Sequence, residues 1–469
     1  MSEGRGFRWA PTSTRMLAGT VVSAVAVIAT VTSISVPWPT LEREPLSVSA
    51  VPAPSASVLA CTGGLMIIGR DLEDAAGIAS ATQQSVVSGV VDGAPQPDEV
   101  RLVAASVDEG EGPVALTAAP DGRSRTDVAA AGSSSVRADD IAGYAASACR
   151  PPLLESWLVG GSGATGAADL VVLANPGSVA ATVQITVYGA EGAAVPAGGE
   201  AVVVAPGTQR VIPLSGLALG EERPVLRVTA AGAPVQASLQ ASITRVLEPG
   251  GADQVGPVVG PETVQVVEGL RVTAASEAGT DAAGVVRVVS PSRDAVAAVT
   301  VTAVGETVAA HSAQDVPLTA GVPTEVALGD LPEGLYTVRI EADAPVVSGA
   351  WQVTGFDAGD DFAWYAPAPA VASPSLFAVP AGAPASLVLS NLSDEDIVVT
   401  LERIGGDARE VAVPGGGSAA VRLRTQALYL LDPGEASVRA GVSLAEDGAL
   451  AGYPVWPADA AAPPITVYP

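Results

Sequence analysis

The chain has 469 residues, 16% charged and 4% aromatic, and its formal charge of −27 comes from 50 acids against 23 bases. All of those bases are Arg, and with no Lys, one His and two Cys the chain lacks the residues from which most metal cages and nucleophilic catalytic sets are assembled. The net charge also opposes broad contact with nucleic acid, because phosphate affinity comes from Lys and Arg displacing condensed counterions.

Arg5, Arg8 and Arg15 precede an uncharged run from Leu17 to Val36, closed by Pro37-Trp38-Pro39. At about 1.5 Å per residue such a run spans roughly 30 Å, the thickness of the hydrocarbon layer, and the Arg-bearing side stays cytoplasmic. Residues 1–16 therefore read as a basic cytoplasmic start and 17–36 as a transmembrane helix. The protein is expected in the cell membrane, single-pass, with its C-terminal part extracytoplasmic. A cleaved signal peptide is the alternative, but its apolar region usually runs about 7–15 residues, and no small-x-small site directly follows Val36. Residues 37–58, rich in Pro, Ser, Ala and Val, predict an extended polyproline-II stalk. Cys61 and Cys149 lie beyond the membrane run, too far apart for a C-x-x-C motif, and suit a structural disulfide in an oxidising exterior. Closing so long a loop restricts the unfolded chain by roughly 4–5 kcal/mol in the chain-entropy treatment.

Past the stalk, short β-branched runs alternate with Gly, Pro, Asp and Ser, and no sustained helical period appears. Val183-x-Ile185-x-Val187 and Tyr336-x-Val338-x-Ile340 place one row on a core and the other in solvent. The fold class is all-β. One frame recurs three times, as Gly207-x4-Ile212-x-Leu214, Gly321-x4-Val326-x-Leu328 and Gly416-x4-Val421-x-Leu423. Each copy follows a pair of strands whose turn is marked by Asn175-Pro176, Ser290-Pro291 or Asn391-Leu392. Two copies continue into Ala233-Pro234-Val235 and Ala344-Pro345-Val346, and Val86-Val87-Ser88-Gly89 resembles the start of that closing strand, Val346 to Gly349. Repeats of this length suit tandem immunoglobulin-like β-sandwich modules better than propeller blades. The expected organisation is a diverged β domain with the disulfide at 59–160 and β-sandwich repeats at 161–262, 263–358 and 359–469. A composite assembly with strands exchanged between units is the alternative.

The LACTGG segment (Leu59 to Gly64), SWLVGG (Ser156 to Gly161) and DLVVLANPG (Asp169 to Gly177) with its alternating strand resemble the actinobacterial exported family of unknown function numbered 5719. The resemblance implies an envelope-associated, membrane-anchored β protein, often encoded near a large glycosyltransferase. It supplies no catalytic residues.

Asp357, Asp360 and Asp361 in GFDAGDDFAWY offer oxygens to a calcium ion, against the alternative of solvated turn charges. Trp157, Trp364 and Trp456 are candidates for stacking on sugar rings, against core or edge packing. His311 has no Ser-His-Asp context and reads as a surface residue. An Asp/Glu pair remains the one enzymatic route, by glycoside hydrolysis, and spacing alone cannot bring two of 50 acids face to face. The leading expectation is a non-enzymatic scaffold or adhesion-type protein of the cell envelope, without cofactor. Its partners would be the membrane, through the N-terminal helix, and an envelope protein or glycan, but no nucleic acid. The alternative is a carbohydrate-binding accessory to cell-wall glycan synthesis.

Overall fold

The computed structural model describes residues 10–35, 48–50, 54–71, 73–108, 110–122, 124–245, 248–273, 283–458 and 465–467. Arg5 and Arg8 of the basic start and residues 37–47 and 51–53 of the stalk lie outside these. Ala10–Ser35 forms one α-helix, whose Arg15–Ser33 stretch has a mean hydropathy of 1.9 and is long and apolar enough to cross a membrane. Its hydroxyls are satisfied internally, with Thr20, Thr30 and Thr32 donating to the carbonyls of Met16, Ala26 and Ile28 at 2.6–2.8 Å. That local bonding lets Thr face hydrocarbon without an orphaned donor. In the expected polyproline stalk, Val48–Ala50 is instead a β-strand, paired antiparallel with Ile465–Val467. Two stretches with alternating β-branched residues gain a backbone ladder by pairing, which polyproline II does not provide.

The regular secondary structure of the remainder is β-strand apart from two short 3-10 turns among the described residues, and Ala53–Ala462 forms one compact unit. One strand order is used repeatedly within it. In the body spanning 155–255, strands Glu155–Val159, Val225–Ala231, Ala181–Gly189 and Gly192–Ala194 follow one another in one sheet. Thr208–Pro213, Leu170–Asn175, Gln236–Arg245 and Glu248–Val255 follow one another in the other. Counted along the chain, with the short strand Val202–Val204 that also pairs with Ala181–Gly189 left out of the numbering, these orders are 1-6-3-4 and 5-2-7-8. The body spanning 262–365 repeats both orders, as does the body spanning 375–454. Neither order is the ABED or CFG order of an immunoglobulin domain, so that comparison extends only to two facing sheets. Alternation places Val183, Ile185 and Val187 between the sheets with Val171, Leu173, Leu226 and Leu239, and leaves Gln184 outside.

The recurring sequence frame acquires a physical meaning here. Gly207, Gly321 and Gly416 each precede the fifth strand with φ of 63–74°, a conformation that favours Gly. Asn175 and Asn391 are buried, and each Nδ2 donates to two carbonyls, Val179 and Val204 in one case, Glu395 and Val413 in the other. Ala233-Pro234 lies where the chain leaves the first sheet for the second. In the next body the 20-residue strand Gly334–Val353 changes sheets at Ala344-Pro345, pairing with the first sheet through 334–341 and with the second through 347–352. Pro has no N–H to continue a ladder, so it marks the crossing. In the last body Pro433-Gly434 performs the same crossing between Ala427–Asp432 and Val438–Glu446.

The amino-terminal body uses six of the eight positions among the described residues: Ser57–Ala60, Ser85–Val90, Asp98–Arg101, Val114–Ala118, Val128–Arg137 and Ala142–Ala148. Val86 to Gly89 thus lies in the second strand, and Val128–Arg137 takes the closing position; the likeness to Val346 to Gly349 reflects a shared strand composition rather than an equivalent place. The Cys61–Cys149 disulfide joins the ends of its first and eighth strands, beside Ala60 and Arg150, which exchange both backbone hydrogen bonds at 2.9 Å.

The four eighth strands meet. Ala142–Ala148 packs against Glu248–Val255, that strand against Phe362–Tyr365, that against Ala449–Pro454, and the last against Ala142–Ala148 again, which closes a ring. Asp361 lies at its centre, 1% exposed. Its Oδ2 accepts N–H from Tyr144 at 2.9 Å and Leu450 at 3.3 Å, and its Oδ1 accepts from Ala252 at 3.2 Å, one donor from each of the other three bodies. Small residues permit the approach, since a Cβ on Gly251 (φ +114°) would stand 2.7 Å from Asp361 Oδ1 and one on Gly452 2.3 Å from the Tyr365 ring. Burial pushes the Asp361 carboxyl up to about 7, with the backbone donors partly offsetting it. Asp169, which accepts from Ser162 and Ser242, is likewise pushed up to about 7 by burial.

Asp361→Ala leaves three buried N–H groups without an acceptor, each worth roughly 1–3 kcal/mol. The expected loss is at least about 3 kcal/mol in denaturant unfolding, well beyond the ordinary range for surface changes. The pH dependence has a definite sign. Both carboxyls have folded-state values above the unfolded one, so their contribution is complete below about 4 and is lost as pH rises through about 7. Melting temperature is expected to fall between pH 5 and pH 8, and less steeply in Asp361→Asn.

Candidate functional site

Two of the three Trp candidates are structural. Trp157 is 2% exposed, packs at a tilt against Tyr188 with ring centroids 5.2 Å apart, and donates from Nε1 to Glu155. Trp364 is 5% exposed and lies under the Arg287 guanidinium at 4.6 Å. Arg287 is itself buried and ties two bodies together, donating to the carbonyls of Gly161 and Pro224 and pairing with Glu325 at 2.9 Å. Neither indole presents a face to a sugar, because an aromatic-poor chain needs these large rings between its sheets. Trp456 differs, being half-buried at the rim of a cavity.

The aspartate trio does not gather as a calcium site requires. Asp361 points into the central ring, while Asp360 accepts from the backbone N–H of Asp357 at 2.7 Å and closes a local turn with Thr354. Among the described residues, no group of three His, Cys, Asp or Glu is placed to hold a metal. His311 lies half-buried on the strand Ala309–Leu318, opposite Val301.

The candidate site is a cavity of about 410 Å³ between the amino-terminal body, the 155–255 body and the last body. Its wall is formed by Ser57–Ala60, the start of Val128–Arg137, the Cys149 to Leu153 segment, Ser375–Val379 and the chain from Tyr453 to Ala458. Leu153, Phe377, Pro151 and Pro454 make it largely apolar. Two charged groups stand out. Asp127 accepts the backbone N–H of Leu376 at 2.8 Å, clasping the first body to the last, and burial pushes its carboxyl up to about 6. Arg150 is 6% exposed, donates to the Pro454 carbonyl, and stacks on Trp456 at 4.6 Å. Burial pulls its guanidinium down to about 9, which still leaves it charged at neutral pH.

Sequence reading missed Arg150 and Asp127. Nothing in Cys149-Arg150-Pro151 distinguishes that Arg from the other 22 bases. Its neighbour Cys149 was the one local signal, since a disulfide half-cystine is buried and fixed, and the next side chain inherits that position.

The family described as "Family of unknown function (DUF5719)" matches residues 103–424, about two-thirds of the chain. The chain belongs to this family. The match includes SWLVGG and DLVVLANPG but begins after LACTGG. No curated protein matches the chain. Among solved structures, a biofilm-associated protein, BSP domain, is 10% identical over 91% of this chain and 100% of its own, with a TM-score of 0.13. A structure of the infectious bursal disease virus Gt strain is 10% identical over 87% and 83%, with a TM-score of 0.10. Superpositions this poor establish no shared fold, and the family carries no assigned activity.

Trp157→Ala removes a fully packed indole and is expected to cost about 3–5 kcal/mol. Trp456→Ala, at the cavity rim, is expected to cost under about 1.5 kcal/mol. Thermal unfolding of the two variants checks the contrast; equal losses would show that the rim Trp is as structural as the core one.

Proposed function

We propose that the chain is a non-enzymatic scaffold of the cell envelope, tethered by its N-terminal helix and built from four immunoglobulin-like, two-sheet sandwiches outside the membrane, which presents a surface to a protein or envelope component. The observation that carries this reading is where the buried charges go. Asp127, Asp253 and Asp361 each accept a backbone N–H from another body, and Arg287 donates to the carbonyls of another. Catalytic acids and bases are arranged so that a substrate reaches them. These groups instead hold sandwiches together. Two further features support the location. The disulfide is of the kind that persists in oxidising compartments. The helix carries Arg on its amino side, as helices do when that side stays inside. The glycan-accessory reading has lost Trp157 and Trp364 to the core and keeps Trp456 of its three candidates.

Because the chain has no Lys, amine labelling is unsuitable, and the native cysteines are bonded. Leu219, 86% exposed, provides a position for a reporter thiol. In intact cells Leu219→Cys is expected to react with a membrane-impermeant maleimide. Reaction only after lysis would place the sandwiches inside and overturn the reading.

A further inference from the structure

Arg150 is a buried cation without an anion. The described residues place no carboxylate within ion-pair distance of it, and its one hydrogen bond goes to the Pro454 carbonyl. Two other buried charges at junctions between bodies have a set of partners: Asp361 three backbone donors, Arg287 a carboxylate and backbone carbonyls. Charges removed from water are stable only when paired and hydrogen-bonded, and a lone stacked ring supplies part of that need. Arg150 lines the cavity. Beside it, the Trp456 indole N–H is buried with no acceptor.

The surroundings select the counter-group. The cavity's volume of about 410 Å³ lies within the range of roughly 300–1,000 Å³ typical of small-molecule sites. Its walls at Leu153, Phe377 and Pro151 accept hydrocarbon, and the Tyr453 hydroxyl is already donated to the Ala378 carbonyl at 2.8 Å. The charged groups facing the cavity besides Arg150 are Arg125, which holds Ser55, and Asp127, which is occupied by Leu376. The Arg150 backbone is fixed through Ala60 and the adjacent disulfide, so the guanidinium is held in place before anything arrives.

We propose that this cavity binds an anionic amphiphile, a single carboxylate or phosphate head on Arg150 and Trp456 with its apolar body along Leu153 and Phe377. The inference does not rest on the scaffold reading, since it concerns a ligand held inside the assembly rather than a surface partner.

The test uses the full chain in phosphatidylcholine nanodiscs and two photoreactive probes, a diazirine-bearing dodecanoate and the matching dodecanol, with labelled peptides mapped by mass spectrometry. Dodecanoate is expected to label the segments around Phe377 and Trp456 at least tenfold more than dodecanol. Excess unlabelled dodecanoate is expected to compete, whereas inorganic phosphate is not. Arg150→Met, an apolar replacement of similar length, should lower dodecanoate labelling to the level of the alcohol. Equal labelling by both probes, labelling without focus on these segments, or retention in Arg150→Met would overturn the proposal. Competition by phosphate as effective as by dodecanoate would reduce the site to one for free anions and overturn it also. If Arg150→Met fails to fold, the two probes on the unaltered chain decide the matter alone.

Discussion

The acceptance of three backbone N–H groups by Asp361 is the constraint around which the four bodies close. Its origin is the general difficulty of a sheet edge. The eighth strand of each body is the last strand of its second sheet, with a row of main-chain donors and acceptors facing outward. Turned to solvent, four such edges invite pairing with other chains. Turned toward one another they are protected, but where strands cross without a common ladder some N–H groups lose their partners, and buried donors must be satisfied. One carboxylate with two acceptor oxygens supplies what the ladders cannot. Asp253 and Asp127 repeat the device at neighbouring junctions, on Trp364 and Leu376.

The arrangement accounts for much of the unusual composition. Edges approach closely where the side chains between them are small, and three of the converging strands read AGYAASA, EPGGADQV and ALAGYP, while the fourth, FAWY, carries large rings. Large rings fill the bodies themselves, as Phe377 stacked on Tyr429, and the seats of one body on another, as Trp364 under Arg287. The acidic surface remains free to keep the assembly soluble. The same economy makes Arg150 conspicuous, because it is buried at a junction and no carboxylate among the described residues pairs with it.

Much of this was legible along the chain. The membrane-length run, the all-β character, the cysteine pair and the recurring Gly frame are local properties. They depend on hydropathy, two-residue periodicity and turn stereochemistry, which act over a few residues. Asn175 and Asn391 marked their turns because an Asn amide satisfies nearby carbonyls wherever such a turn is built. Even the sheet crossing was announced by Ala-Pro-Val, since Pro interrupts a ladder in any context. Motif similarity misled at Val86 to Gly89, where four residues suited to a strand do not specify which strand.

What the amino-acid sequence determined unaided was the repertoire: one apolar helix, a stapled β body, three further β bodies, and scarcely any residues for catalysis. Only the tertiary structure decided what each charged or aromatic side chain faces. Asp361 looked like one of three acids in a loop until three distant strands brought their N–H groups to it, and Arg150 looked like any Arg until a cavity formed over it. The reason is that burial and pairing are set by contacts between segments up to some 300 residues apart, as from Arg150 to Pro454, and no short-range pattern encodes them.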